Sequence, residues 1–303
     1  MALTLSRVMA RAWREMGLMV TVKASGGGTT TVVDSSKKYT TADALVGGTV
    51  IVVQDSAGAG AAPEGEFGLI TNYEETTWTF TMDALSAAVA AGDKIGLARA
   101  TITAEEMIQC VNDAIRDLGY IQLHDSTNFT LATGKTEYSL AVGLKRDNLV
   151  NVFVRTNSDT TDDNQWIPIL SHCRVHPATA GTAGLLIIDE NIVDTFNGYN
   201  LKVVYNGEHP QLTAFNSTIS EYIHERLAVA ASIEKALTWL ISKRGDSALN
   251  TFIVQRYNDA KQNLENAKRE FPIIRPVKQA TRWLVATKEA VGTSGDVDSV
   301  DLT

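Results

Sequence analysis

Two kinds of hydrophobic spacing alternate along the chain. Apolar residues recur every three or four positions within residues 3–17, again within Thr103–Gly119, and again within Ile219–Phe271. This is the period of an amphipathic α-helix. The blocks between these segments are rich in threonine, valine and glycine and alternate polar with apolar residues, which is typical of short β-strands. A short helix between two β blocks must bury its apolar face against distant partners, so the pattern predicts an α+β fold.

We predict a discontinuous helical bundle core with two β insertions, a small β-barrel-like module and a β-sandwich-like module, and an extended C-terminal arm. The predicted parts are an N-terminal core helix (residues 1–19), the inserted β-barrel-like module (20–101), a core helix (102–120), a second β domain (121–216), a C-terminal helical hairpin (217–271), and an extended arm with an acidic tail (272–303). Strands are predicted at Thr29–Val33, Thr49–Val53, Phe67–Ile70 and Thr76–Met82, and at Asn128–Leu131, Glu137–Leu140, Leu149–Val154, Trp166–Leu170, Gly184–Ile188 and Tyr199–Tyr205. Residues 55–65 are predicted to form a loop, and residues 157–164 an exposed hairpin tip.

The middle helix has the clearest end signals. Thr103 is predicted to cap the first turn while Glu106 bonds back to the Thr103 amide, and Gly119 is predicted to end the helix. Cys110 lies on its apolar face. The side chains expected to pack against the rest of the core are Met107, Val111, Ala114, Ile115 and Leu118.

The C-terminal helices are predicted to run from about Ile219 to Ser242 and on to about Phe271. A break is predicted at residues 243–246, where Gly245 is a candidate stop and Asp246 a candidate N-cap. Beyond residue 272, a short apolar cluster, Trp283–Ala286, lies within polar sequence and predicts an adhesive strand.

Composition narrows the classes of function. The net charge of −8 argues against a general DNA-binding surface, because phosphate contacts need clustered lysine and arginine, but it is compatible with a repulsive surface along which DNA slides. No stretch is long and apolar enough to cross a bilayer, and the N-terminus has no signal-peptide pattern, so we expect a soluble chain without membrane contact. Cys110 and Cys173 lack metal or disulfide spacing and are interpreted as buried or incidental thiols.

The sequence offers little for catalysis, and we predict that the chain is not an enzyme and binds no cofactor or metal. His172, Cys173 and His176 have spacing that a zinc site could use, but we interpret their segment as a polar turn after a strand. The run Gly26–Gly28 lacks the lysine and helix start of a phosphate-binding loop. Trp78 and Phe80 alternate with threonines, which favours a role in the core over a stacking platform.

One segment resembles a known family. An initiating helix followed by Asn-Asp-Ala-Ile-Arg-Asp at residues 112–117 is similar to a stretch of the head-to-tail adaptor proteins of tailed bacteriophages. Further similar features are Tyr138–Leu140, Leu149–Val154, Trp166–Ile169, Gly184–Ile188, Leu201–Tyr205, His209-Pro210 and Leu212-Thr213, so the resemblance covers about residues 101–271. Residues 20–100 separately resemble small β modules of phage neck and tail proteins, an insertion that a plain adaptor does not need.

The resemblance implies a structural virion protein at the neck, assembled in the host cytoplasm. Adaptors of this family form a ring, usually a dodecamer, that docks beneath the portal protein and leads to a downstream tail or stopper protein. Double-stranded DNA passes through the lumen during ejection without sequence-specific binding. The resemblance also implies a portal-binding arm that adds an edge strand, with the candidate residues Arg275, Lys278, Arg282, Trp283, Leu284 and Val285. We expect the 20–101 module to point outward and contact fibre or decoration proteins.

Two other classes of function stay open from the sequence. The chain could be another phage structural protein, such as a tail-completion, baseplate or fibre-anchoring protein, which would also be rich in β structure. It could also be a carbohydrate-active enzyme that uses its β modules to bind sugars.

Overall fold

The structure is a computed structural model that describes residues 2–34, 45–56, 64–126, 129–140, 148–156, 166–176, 184–244 and 251–273. In these ranges the fold is α+β, with five α-helices and three antiparallel sheets. The helices are α1 (Leu5–Glu15), α2 (Ala104–Asp117), α3 (Glu190–Thr195), α4 (Glu225–Arg244) and α5 (Thr251–Glu270). The strands are β1 (Met19–Lys23), β2 (Gly26–Gly27), β3 (Thr31–Val33), β4 (Thr49–Gln54), β5 (Phe67–Glu74), β6 (Thr79–Met82), β7 (Lys94–Ala98), β8 (Ile121–Asp125), β9 (Glu137–Ser139), β10 (Leu149–Arg155), β11 (Trp166–Pro168), β12 (Cys173–His176), β13 (Leu185–Ile188) and β14 (Leu201–Gly207).

The chain divides into two compact units. The first, here called the helical unit, contains Met1–Leu123 and Asn206–Arg275. The described residues of the second, the β unit, lie within His124–Tyr205. The chain therefore leaves the helical unit after α2 and returns to it before α4.

Helix α4 lies at the centre of the helical unit and packs against α1, α2 and α5. Its apolar side chains are not confined to one stripe, as expected for a helix with neighbours on several sides. Helices α4 and α5 are antiparallel, since Arg226 at the start of α4 pairs with Glu270 at the end of α5 at 2.8 Å. The ring of His224 also stacks on Phe271, with centroids 3.8 Å apart.

The sheet of the helical unit has seven strands in the order β1-β7-β4-β5-β6-β3-β2. One set of buried side chains, including Val32, Ile70 and Phe80, forms its own core. Ile51 and Ala98 instead join the core of the helices. The expected barrel is not closed among the described residues, because β1 and β2 pair only with β7 and β3, and closure requires the two edge strands to pair.

The β unit has two sheets, with strand orders β11-β10-β14-β8 and β12-β13-β9. Both sheets contribute to one hydrophobic core, which includes Val152 and Leu201 from the first and Tyr138 and Leu186 from the second. Alternation explains this arrangement, because Val152 and Val154 are buried while their neighbours along β10 are partly exposed.

Several element boundaries differ from the sequence-based predictions. Strand β5 extends to Glu74 and β6 begins at Thr79, so the strand predicted over Thr76–Met82 is observed only in its last four residues. Residues 76–78 belong to the turn, where Trp78 has a φ of 52°. Phe80 is buried but Trp78 is only half-buried, so the two do not share the core as predicted. The strand predicted over Asn128–Leu131 is reduced, within its described part, to an isolated bridge between Thr130 and Asn200.

Helix α4 begins at Glu225, later than predicted, because the residues up to 219 bond to the N-terminal segment and residues 221–223 form a turn. Thr218 forms a bridge with Thr4, and the Ile219 amide donates to the Leu3 carbonyl at 2.8 Å. Ile219 and Ile223 are nevertheless buried, so these apolar residues indicate a buried segment and not a helix.

The segment interpreted as a polar turn at residues 172–176 is mostly strand. In β12, Cys173 and Val175 are buried and Arg174 and His176 are exposed, and the strand pairs with β13. The strand predicted through Leu170 ends at Pro168 and is followed by a 3-10 helix, Leu170–His172. The predictions also omitted strands β1, β2, β7, β8 and β12 and helix α3.

Some predicted features lie outside the described residues. These are most of the 55–65 loop, the 157–164 hairpin tip, Gly245 and Asp246 between α4 and α5, and the C-terminal arm and tail from residue 274 onward.

Candidate functional site

The resemblance motif lies on α2, so the contacts of this helix define the candidate site. At its start the predicted capping box is confirmed: Glu106 Oε2 accepts from the Thr103 amide at 2.9 Å, and the Glu106 amide donates to Thr103 Oγ1 at 3.3 Å. The other carboxylate oxygen of Glu106 accepts from Lys243 Nζ at 2.9 Å. Lys243 also lies over the ring of Trp239, 4.3 Å from its centroid. The cap of α2 is therefore tied to the last turn of α4.

These contacts keep Glu106 ionised. Partial burial acts to raise the pKa of the carboxyl, but the hydrogen bonds from Thr103 and Lys243 outweigh it and lower that pKa. A carboxylate at this position also interacts favourably with the positive end of the α2 dipole.

The end of α2 is tied to the middle of α4. Asp117 forms an ion pair with Lys235, which raises the pKa of the lysine through the side-chain hydrogen bond. With Glu106 near Lys243 and Asp117 near Lys235, α2 runs antiparallel to α4. Asp113 and Arg116 pair at 3.6 Å on the exposed face, where such a contact contributes little to stability.

Asn112 connects α2 to the chain segment that precedes α4. Its Nδ2 donates to the Leu212 carbonyl at 2.9 Å, and its Oδ1 accepts from the Leu212 amide at 2.8 Å. The same Nδ2 donates to Ile108 O at 3.1 Å. Leu212 is buried, so Asn112 satisfies both backbone groups of a buried residue, as a neighbouring strand would.

Helix α1 is attached to α4 and α5 by arginines. Arg7 and Arg11 both donate to Glu225 in the first turn of α4, at 2.8 and 3.0 Å. At the other end of α1, Arg256 of α5 donates to the Met16 carbonyl at 2.6 Å. This bond satisfies a carbonyl at the C-terminus of α1, where no intrahelical donor remains.

Because Glu225 is ion-paired with Arg7 and Arg11, we expect the helical unit to lose stability in acid. Burial acts to raise its pKa, but the hydrogen bonds from Arg11 and Arg7 outweigh it, so the pKa is lowered from its ordinary value of 4.5. A carboxyl with a lowered folded-state pKa stabilises the fold fully above pH 4.5 and loses that effect as the pH falls through the folded-state pKa. We expect Glu225→Gln to lower the free energy of unfolding by about 1 kcal/mol at neutral pH and to flatten its decline below pH 4.5.

Urea unfolding followed by circular dichroism across this pH range measures both effects. Glu221→Gln, at an exposed position nearby, is the matched control and should leave the pH profile unchanged. If Glu225→Gln and Glu221→Gln had the same dependence of unfolding free energy on pH, the stabilising role given to Glu225 would be wrong.

Two grooves border these helices. One, of about 500 Å³, runs along the outer face of α2 and is lined by Ile108, Asn112, Asp113 and the segment 211–213. The other, of about 810 Å³, lies beside the arginines of α1 and is lined in part by β4. Arg14 on its wall has no ion-pair partner among the described residues, unlike Arg7 and Arg11.

The structure places the predicted packing residues as follows. Met107, Val111, Ala114 and Ile115 are buried in α2, and Leu118 is half-buried at its end. The predicted arm residues Arg275, Lys278, Arg282, Trp283, Leu284 and Val285 lie outside the described residues. Sequence reasoning missed Asn112, Glu225 and Arg256 as connecting residues, because a polar side chain on a helix flank gives no signal of a partner about a hundred or more positions away.

The two cysteine thiols are buried, and their burial makes them unreactive. Burial raises the pKa of the Cys110 thiol to about 11 and that of Cys173 to about 12, so both stay protonated at neutral pH and are poor nucleophiles. Both cysteines are free and buried. This agrees with the prediction of Cys110 on the apolar face of α2, whereas the segment of Cys173 was interpreted as a polar turn. His172 approaches Asp189 at 3.3 Å on the surface. Within the described ranges no three histidine, cysteine or acidic side chains are grouped as metal ligands, and no helix there is long and apolar enough to span a bilayer.

Comparison with known proteins does not assign the chain to a family. A scan of the sequence against protein-family models found no match, and a search of curated proteins found none either.

Proposed function

We propose that this chain is a head-to-tail adaptor of a tailed bacteriophage, a structural protein that forms a ring between portal and tail. The ring surrounds the channel through which DNA leaves the capsid. The protein acts mechanically, by holding its neighbours in register, and its side chains perform no chemistry on the DNA.

The supporting observation is the role of the Asn-Asp-Ala-Ile-Arg-Asp stretch. Asn112 bonds both backbone groups of Leu212, Ala114 and Ile115 are buried, and Asp117 pairs with Lys235 of α4. The residues that carry the resemblance are thus the ones that join α2 to α4 and to the segment before it. A motif with this role suits a protein whose function depends on a rigid helical framework.

The finer architecture is part of the same proposal. The helices form a discontinuous bundle, and residues 20–101 are an insertion into it. Strands β1 and β7, at the two ends of that block, pair with each other from Met19↔Ala98 to Lys23↔Lys94. The chain therefore leaves and rejoins the helices at neighbouring points, as it would at the base of an inserted module.

Charge and the terminal arm complete the proposal. A net charge of −8 suits a channel that must not retain DNA, because like charges repel at short range. Arg282, Trp283 and Leu284 of the arm supply one charged and two apolar groups for a strand added to the portal.

The test is the mass of the purified full-length chain, measured by light scattering with and without the portal protein of the same phage. We expect a ring of about a dozen copies, or ring formation once portal is added. The double variant Trp283→Ala, Leu284→Ala should weaken portal binding at least about tenfold by removing buried apolar contacts. Thr293→Ala, in the same part of the chain, is the matched control.

A chain that stays monomeric at every concentration and ignores the portal would overturn the proposal. So would electron microscopy of the virion that places the chain at the baseplate or on a fibre.

A further inference from the structure

Strand β1 forms one edge of the seven-stranded sheet, and half of its backbone groups point away from the sheet. Two hydrogen bonds just beyond its ends, from Ala24 N to Asp93 O at 2.8 Å and from Arg99 N to Leu18 O at 3.0 Å, set the alternation. The even-numbered residues of the strand therefore bond to β7. The amides and carbonyls that face outward, with no backbone partner among the described residues, are those of Met19, Thr21 and Lys23.

This edge lacks the usual protection against pairing. Natural sheets block a free edge with a proline, a bulge or a very short strand. Strand β1 has five residues, pairs with β7 without a bulge and contains no proline. By contrast, the edge strand β2 has only two residues, and the edge strand β11 contains Pro168. Strand β1 is therefore open to a further strand.

The edge also exposes an apolar side chain. Val20 lies on the same face of the sheet as the buried Val22, yet it is 37% exposed. This exposure is expected where the next strand of a sheet is lacking. A strand added beside β1 would cover Val20.

The end of β1 is positively charged. Lys23 lies directly opposite Lys94 of β7, so both side chains project from the same face. Both are exposed, and neither has an ion-pair partner in the described part of the chain. Two like charges in register are unfavourable until an acidic group approaches them.

The start of β1 is bordered by acidic groups. Glu15 and Asp259 line one small cavity together with Met16, three positions before the strand. Arg256 lies there too, and it donates to the Met16 carbonyl at 2.6 Å. Asp259 has no ion-pair partner within the described ranges, and the C-terminus of α1 adds the negative end of a helix dipole. The charge at the start of the strand is therefore opposite to the charge at its end.

We propose that β1 pairs with β1 of a second copy of this chain, antiparallel and related by a two-fold axis at Thr21. In this register Thr21 bonds to Thr21 of the second copy, and Met19 bonds to its Lys23, so every outward amide and carbonyl has a partner. Val20 then faces Val22 of the second copy in one of the closely spaced pairs that lie between the bonded ones. The two-fold axis repeats this apolar contact.

The charges favour a second copy as the occupant. Antiparallel pairing brings the positive end of each β1 to the negative start of the other. Lys23 of the second copy lies opposite Met19, on the face where the helices pack, and so approaches Glu15 and Asp259. The two copies of Lys23 are separated by about 14 Å along the strands, more than the screening length of about 8 Å at physiological salt.

The pairing goes beyond the adaptor proposal and does not depend on it. A two-fold contact joins two copies and then closes, whereas a ring of many copies needs contacts of a different kind on other surfaces. The contact is also small, because one short strand covers less than the roughly 1,200 Å² that a stable interface buries. We therefore expect a weak dimer, with a Kd on the order of 0.1 mM.

Sedimentation equilibrium of the full-length chain without portal, between about 10 µM and about 1 mM, tests the pairing. The mass of the unmodified chain should rise towards twice that of Thr21→Pro at the same concentration. The Thr21 amide faces outward, so proline removes the central bonds between copies and leaves the pairing with β7 in place. We expect Thr21→Pro to weaken association at least about tenfold. Thr21→Ala keeps the amide and is the matched control, expected within about threefold of the unmodified chain.

A ring would not obscure this result. If the chain also forms rings, the comparison is between paired and single rings, and the ratio of masses is again two. Loss of the ring with the ratio retained would overturn the adaptor proposal alone.

Backbone hydrogen exchange locates the contact. The outward amides of Thr21 and Lys23 should exchange about fourfold more slowly at 1 mM than at 10 µM, which is the change in free edges at the expected Kd. The inward amides of Val20 and Val22 should stay protected at both concentrations and in Thr21→Pro, which shows that the sheet remains folded.

A second variant leaves the backbone unchanged. Val20→Lys places a charge against the apolar Val22 of the second copy and should also weaken association at least about tenfold. A mass that does not change with concentration, or equal association of Thr21→Pro and Thr21→Ala, would overturn the proposal. So would a doubled mass without slower exchange at Thr21, because the copies must then meet through another surface.

Discussion

Replacing Trp13 by alanine is expected to lower the free energy of unfolding of the helical unit by about 3–5 kcal/mol. Trp13 is fully buried in α1 and belongs to the core cluster that joins the helices to strands β1, β4 and β7. Removing the indole leaves a cavity between helices and strands that are far apart in sequence. These elements are held by their other contacts and cannot move together to fill it. Urea unfolding followed by far-UV circular dichroism measures the change, because the four long helices all belong to this unit.

The variant Trp13→Phe separates the effect of losing side-chain volume from the effect of losing the polar indole N–H. The indole Nε1 of Trp13 is buried without a hydrogen-bond partner among the described residues. Trp13→Phe removes this unsatisfied donor and keeps most of the ring, so we expect a loss of only about 1–2 kcal/mol. Arg14→Ala, on the exposed side of α1, should change stability by less than about 0.5 kcal/mol. A small effect of Trp13→Ala would contradict the placement of α1 in the core.

Asn112→Ala is expected to cost about 2–4 kcal/mol, the second-largest effect. The substitution removes both side-chain partners of the partly buried Leu212 amide and carbonyl. Asn112→Asp retains the acceptor for the Leu212 amide but loses the donor, and it places a carboxylate against the Leu212 and Ile108 carbonyls. We therefore expect it to be no more stable than the alanine variant.

The same urea titration measures the Asn112 variants, and Gln109→Ala is the control on the preceding turn of α2. Gln109 is exposed, so its change should be within about 0.5 kcal/mol. Hydrogen exchange should locate the Asn112 effect, with faster exchange at the Leu212 amide. If Asn112→Ala behaved like the Gln109 control, the link between α2 and the segment before α4 would be wrong.

Local signals in the sequence were enough for α2. Thr103, Glu106 and Gly119 determine where that helix begins and ends through contacts within a few residues, and the capping box is confirmed. The same reasoning failed at Ile219–His224. There the apolar spacing of helical type belongs to Ile219, which bonds to Leu3, and to a following turn in which the Ile223 amide donates to the Ser220 carbonyl. A partner more than two hundred positions away decided that conformation, and apolar spacing cannot report such a partner.

Among the strands, too, some follow from local sequence and others depend on distant partners. Thr49–Gln54 and Leu149–Arg155 are long and rich in β-branched residues, so their existence follows from composition. Strand β12 was missed because it is only four residues long and its two polar residues, Arg174 and His176, lie in a segment that was interpreted as a polar turn. Its pairing with β13 is a contact between segments that the order of residues does not specify. Whether the first module closes as a barrel also depends on which edges pair, and no single strand encodes that.

The sequence by itself determined the α+β class and the cap and apolar face of α2, including the burial of Cys110, because these depend on side-chain chemistry and short-range periodicity. The tertiary structure alone decided that Asn112 bonds to Leu212, that Arg7 and Arg11 share Glu225, and that β1 is an open edge. Each of these is a contact or a missing contact between distant segments. Such contacts form only when the chain has folded. A hydrogen bond depends on the positions of its two groups in three dimensions, and it produces no periodic pattern in the sequence.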